Sequence, residues 1–238
     1  MEMQEICKKS INLEALQVDE RVMGKINAFS LKNLTTDDVF AFRVLACSNE
    51  VDRDLESFTV AALQDMAEQY KGKPMIFDHR GSADGQIARI FDSEVRADES
   101  KKTLLGEDYT VLILSAYIPR IEKNEGFISE IESGIKKEVS VAMRAKKAIC
   151  SVCGKEVKGW PLSCGHKQGK QYNEKICVRR LDGAEDVYEL SFVAVPAQRD
   201  AGVIKNAQRE DEFANQEPQQ ATEQKNTVFN GFLKFLKK

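Results

Sequence analysis

The chain has 238 residues, a formal net charge of -3, 42% hydrophobic and 31% charged residues. This suits one sizeable core or a core with a small appendage, and it argues against a nucleic-acid binder working by bulk charge. No apolar run approaches the roughly 20 residues that span a bilayer, and residues 1–10 lack the apolar core of a signal peptide, so the reading is a cytosolic protein.

Residues 1–36 are mixed and polar and yield no firm element. Residues 39–47 (VFAFRVLAC) are rich in strand formers, and 48–56 form a charged loop. From 59 to 70 the period turns helical: Val60, Leu63, Ala67 and Tyr70 share a face, Thr59 caps the start and Gly72 ends it. A short apolar strand follows at 75–77, then a turn at 78–85. Strands are predicted at 86–96 and 109–118, with Lys101 and Lys102 in their connection, and a helix at 122–133 stopped by Gly134.

Residues 137–145 (KEVSVAMRA) alternate. Val139, Val141 and Met143 face one way, and Ser140, Ala142 and Arg144 the other. Residues 187–195 (VYELSFVAV) are apolar on both faces, as in a central strand. Helices do not separate most strand pairs, which disfavours a parallel doubly wound sheet. The predicted class is α+β, mainly β: a mostly antiparallel β-barrel or sandwich with peripheral helices. The domain plan is an N-terminal segment 1–36, a β-domain 37–205 carrying a Cys-rich insertion 148–178, a disordered Gln- and Glu-rich linker 206–226, and an amphipathic segment 227–238 suited to docking.

Three polar residues interrupt apolar surroundings. His79 closes a strand in a polar turn, Ser140 sits mid-strand, and Glu189 lies in the most apolar strand. A serine hydroxyl becomes a nucleophile when a base takes its proton and a third group fixes the tautomer of that base. The ordinary readings are a hydrogen-bonded strand serine, a solvated turn histidine and a glutamate paired with an arginine. Ser191, two residues from Glu189 on the same face, is a rival nucleophile.

The order of four motifs resembles the prohead (capsid-maturation) serine proteases of tailed bacteriophages, relatives of the herpesvirus assemblins. They are an acidic segment with Glu50, Asp52 and Asp54 before Phe58; Phe77-Asp78-His79 with Gly85-Gln86-Ile87-Ala88-Arg89; Gly134 before Val139-Ser140-Val141; and Glu189-Leu190-Ser191-Phe192-Val193-Ala194-Val195-Pro196-Ala197. The resemblance covers roughly residues 42–203. It implies an assemblin-like barrel and a serine endopeptidase with Ser140 as nucleophile, His79 as base and Glu189 as third member. Its substrates would be scaffold and coat proteins inside the procapsid in the host cytoplasm, with self-association and autoprocessing. Two positions depart from the family pattern. Ala142 stands where the family often has glycine, and Gln198 where it favours asparagine. Ala142 favours the alternative of a non-catalytic head-assembly protein that keeps the fold.

Three of the 6 cysteines fall between Cys150 and Cys164. In a reducing compartment such clustering points to metal ligands before disulfides. Cys150 and Cys153 form a C-x-x-C knuckle closed by Gly154, and Cys164 and His166 a C-x-H pair, with Cys177 as an alternative fourth ligand. This donor set suits a structural zinc ion stapling an insertion too small for its own core. A redox dithiol or unliganded thiols are the other readings. The modest basic character of Lys155, Lys158, Lys167 and Lys170 leaves a zinc-dependent nucleic-acid-binding module as a minor alternative.

Overall fold

The computed structural model describes residues 16–159 and 161–204. The expectations for the linker 206–226 and the segment 227–238 lie outside these residues. The first element is one the sequence pattern did not reveal. Helix α1 (Glu20–Asn27) starts at Asp19, whose carboxylate accepts the Val22 N–H at 2.8 Å. Met23 and Ile26 bury against Val39, Phe91 and Tyr117. Phe42 and Ile90 go to the main core instead, so α1 covers the opposite side of the sheet.

The elements that follow are β1 (Val39–Ser48), β2 (Glu56–Phe58), α2 (Val60–Tyr70), β3 (Pro74–Phe77), β4 (Ala88–Lys102), β5 (Asp108–Pro119), α3 (Glu122–Glu132), β6 (Val139–Cys150), the two-residue strands β7 (Gln171–Tyr172) and β8 (Lys175–Ile176), β9 (Arg179–Phe192) and β10 (Gly202–Val203). Thr59 caps α2, its hydroxyl accepting the Ala62 N–H. Gly72 takes the left-handed conformation (φ +86°) that lets the chain turn into β3.

The main sheet runs β10-β1-β5-β4-β3-β9-β2, with β6 along β9 as well. The mainly β class and the mostly antiparallel pairing hold, but the barrel is corrected. The sheet is mixed, because β2 and β3 both run parallel to β9. Helix α2 is the crossover between them, which brings β3 back in the direction of β2. The strand ladder does not close either: near the start of β6, a single isolated bridge joins Glu138 to Gly202 of β10.

Several elements also run longer than predicted. The β4–β5 hairpin stays paired out to Lys102 and Asp108, so Lys101 and Lys102 belong to a strand. β9 begins at Arg179 and β6 runs on to Cys150. The two strands pair along their whole length, so the Cys-rich insertion grows directly from their ends.

The main core packs the sheet against α2 and α3. Leu63, Met66 and Tyr70 of α2 are fully buried in it. Phe127 of α3 meets Phe77 of β3 and Phe192 of β9 edge-on, at 5.0 Å in each case. Burial of each such ring is worth about 1.5–3 kcal/mol. These three rings pin the ends of β3 and β9, where the candidate site lies. Among the described residues no helix is long and apolar enough to cross a membrane.

Candidate active site and metal centre

Two ladders that share β9 assemble the site. In the β6–β9 pair, Ser140 lies opposite Ser191 and Ala142 opposite Glu189, while Val139 faces Phe192 and Val141 faces Leu190. Residues directly opposed on neighbouring strands project to the same side, with Cβ atoms about 4.5–5.5 Å apart. Ser140, Ser191 and Glu189 therefore share one face, and the valines turn to the core.

His79 arrives from β3. Phe77 pairs with Phe192, and the chain then makes a tight turn in which Phe77 C=O accepts the Arg80 N–H at 2.9 Å. Both central residues of the turn, Asp78 (φ +50°) and His79 (φ +55°), are left-handed. That conformation costs a non-glycine residue of order 1–3 kcal/mol. The site holds it with two bonds: Asp78 N–H to Phe192 C=O (3.0 Å) and His79 N–H to the Ser191 hydroxyl (2.9 Å).

The His79 ring meets the Glu189 carboxylate, Nδ1 to Oε1 at 2.7 Å. A carboxylate accepts, so Nδ1 carries the proton and Nε2 is left with the lone pair a base needs. The Glu189 side chain is 11% exposed and that of His79 41% exposed, so the pair is anchored inward and open outward. Glu189 thus has a histidine partner rather than an arginine. The second carboxylate oxygen accepts the Ser191 hydroxyl at 2.8 Å. Ser191 is fully buried. Its hydroxyl donates to Glu189 and accepts from His79, which leaves no free proton or open approach for nucleophilic work. The buried Tyr70 phenol donates to Glu189 C=O at 3.1 Å and ties α2 to the same strand. No described side chain hydrogen-bonds the Ser140 hydroxyl, so Ser140 stands on the shared face with its oxygen free and is not hydrogen-bonded to His79.

Ser140 lines a cleft of about 290 Å³, with Cys47, Asp52, Asp54, Glu56 and Gln198 among the other walls. Burial pushes the Asp52 carboxyl above its ordinary value. Gln198 has a structural task there. Its Oε1 accepts Ser48 N–H at 2.6 Å and its Nε2 donates to Ser48 C=O at 2.9 Å, which fastens the chain after β9 to the end of β1. Ala142 is not among the residues lining this cleft.

The cysteine insertion forms a second site. The donor atoms of Cys150, Cys153, Cys164 and His166 all lie within 4.8 Å of one another, and the group could hold a metal ion. His166 Nδ1 is 3.7 Å from Cys150 Sγ and 3.6 Å from Cys164 Sγ. Tetrahedral bonds of about 2.0–2.3 Å put donors about 3.5–3.8 Å apart, so these separations fit one small ion. The Lys155 N–H is the main cause of a Cys153 thiol pKa lowered to about 7, which favours the thiolate a metal needs. The ring of Tyr172 meets that of His166 edge-on at 4.6 Å and fixes its orientation.

Cys177 stays outside the set. Its sulfur is 3.9 Å from Cys150 Sγ, but it does not converge with the other donors, and burial pushes its thiol up to about 12. Comparison with protein-family models, curated proteins and solved structures finds no match for the chain.

Proposed function

We propose that the protein is a serine endopeptidase of the prohead type, with an assemblin-related fold, acting on scaffold and coat polypeptides inside an immature phage shell. The observation that carries this reading is the Glu189–His79 pair at 2.7 Å on the face from which Ser140 projects. His79 Nε2 takes the proton as Ser140 Oγ attacks the scissile carbonyl, and Glu189 stabilises the imidazolium that forms. The proton then passes to the leaving amine, and water releases the acyl group by the same route. Ser191 takes no part in bond-making.

The Cys150, Cys153, Cys164 and His166 group is read as a structural zinc site. These four protein donors would complete a tetrahedral shell and leave no position for a reacting water. Zinc bound there supplies cohesion to the insertion, not chemistry to Ser140.

The test is a serine-reactive fluorophosphonate followed by intact-mass and peptide mapping. The proposal expects one adduct, on Ser140, lost in Ser140→Ala and strongly slowed in His79→Ala. Folded protein that stays unlabelled, or labelling that survives in Ser140→Ala, would overturn it.

A further inference from the structure

The edge of β6 that faces away from β9 is occupied at both ends and free between them. At its start, Glu138 bridges Gly202, and Val139 N–H reaches Ala201 C=O. At its end the insertion folds back on it: Ile149 bridges Glu156, Cys150 N–H donates to Lys155 C=O at 2.9 Å, and Val157 N–H to Ala148 C=O at 2.8 Å. From 140 to 147, among the described residues, β6 pairs with β9 alone. At about 3.3 Å per residue this gap is roughly 23 Å long. A bare strand edge is a row of unpaired N–H and C=O groups, which another extended chain can complete.

Two clefts adjoin β6. The cleft at Ser140 shares Glu56, Met143 and Leu181 with a second groove of about 520 Å³, which extends along β6 to residues 156–159 of the insertion. Most cations lining this groove are already paired: Arg144 with Glu185, Lys146 with Asp65, Lys147 with Asp182 and Arg179 with Glu56. Lys158, at the far end, has no ion-pair partner among the described residues.

We propose that the metal-binding insertion is the far wall of the substrate groove: an extended segment of the polypeptide substrate adds as a strand to the free edge of β6 between Ser140 and residues 156–159, where Lys158 meets an acidic side chain. The proposal rests on the protease reading of Ser140. Main-chain pairing supplies sequence-tolerant affinity, and Lys158 supplies selection six to eight residues (by strand rise, roughly) from the bond cut. The insertion thereby becomes a specificity element as well as a folded appendage.

The experiment uses the full chain and a degenerate library of twelve-residue peptides. Hydrogen exchange on Ser140→Ala with saturating library should slow at amides in 142–147. The wild-type products, sequenced by mass spectrometry, should favour Asp or Glu at the distal position, and Lys158→Glu should abolish or reverse that preference alone. No slowing along 142–147, or an unchanged distal preference in Lys158→Glu, overturns the proposal. Slowing without peptide that rises with protein concentration assigns the edge to a second copy and overturns it too. Slowing by peptide with no cleavage by wild type keeps the groove and removes the protease reading, so the two failures are distinguishable.

Discussion

The strand-built site and the cysteine insertion reach order by opposite routes. Ser140 on β6, Glu189 on β9 and His79 in the turn after β3 are set on a sheet backed by a continuous apolar core, with Phe77, Phe127 and Phe192 packed together at the ends of β3 and β9. The insertion has only a small cluster of its own, among it Ala148, Val157 and Leu162, beside the donors. Burial of apolar surface at about 25 cal/mol per Å² sustains the first. The second has little such surface, and on the proposed reading a metal held by Cys150, Cys153, Cys164 and His166 would supply the missing cohesion, as in small metal-bound domains. Damage at the strand-built site should therefore appear as lost chemistry in a stable fold, and damage at the insertion as lost local structure.

The largest effect is expected at Ser140. Ser140→Ala removes one hydroxyl that has no side-chain partner, so stability should change by less than about 1 kcal/mol. On the proposed protease reading, cleavage of coat and scaffold should fall by several orders of magnitude (on the order of 10³ or more), with His79→Ala similar and the double variant little worse. Thermal melts and product mass spectrometry on the same samples check both halves. Unaltered processing by Ser140→Ala would remove the contrast at its root.

Metal removal is the matching experiment on the other region. One zinc per chain is expected by elemental analysis. A strong chelator, or Cys164→Ser, should open the insertion to proteolysis between 150 and 177 while the strand signal of the main sheet persists. Protons compete for thiolate and imidazole, so metal affinity should fall as pH drops below about 7. Purified protein without zinc, its insertion still resistant to protease, would show that the two regions are held in the same way.

Glu189→Gln gives an intermediate effect and sharpens the account of the strand site. The amide is a poorer acceptor for Nδ1–H and leaves the imidazolium unsupported, so cleavage should slow by on the order of 10²–10⁴. It also weakens the bond from the buried Ser191 hydroxyl, at a cost of about 1–2 kcal/mol. A stability loss with full activity would make Glu189 a structural residue.

The same contrast explains what the sequence disclosed. The four candidate metal donors lie within 17 positions of one another, from Cys150 to His166, so their spacing carries the site. The strand site depends on pairings between residues 110 apart, His79 and Glu189. Alternation fixed which face Ser140 takes, but the register that sets it opposite Ser191 is a property of the sheet. The left-handed turn at Asp78 and His79 had no glycine to announce it. Irregular pairing between Ala142 and Met143, and between Arg144 and Ala145, interrupts the ladder, and polar Asp182, Glu185 and Asp186 hid the first half of β9. The parallel placement of β2 and β3 follows from the path of α2, which periodicity does not encode. Met23 and Ile26 of α1 were visible as an apolar pair behind a capping Asp19, but too short a run to stand out from the polar residues around it.

The smallest effect should come from Cys177, and it divides the insertion from within. Cys177 is buried with its sulfur 3.9 Å from Cys150, close enough to be taken for a ligand. Yet the converging donors are Cys150, Cys153, Cys164 and His166, and burial raises the Cys177 thiol, which disfavours its thiolate. Cys177→Ala should keep one metal per chain and cost roughly 1 kcal/mol for the lost packing. His166→Ala should lower metal affinity by orders of magnitude, because removing one of four donors opens the coordination shell. A competitive chelator titration on the two variants separates them. If Cys177→Ala loses the metal and His166→Ala retains it, the fourth ligand is the buried thiol, and the ring contact between His166 and Tyr172 is packing alone.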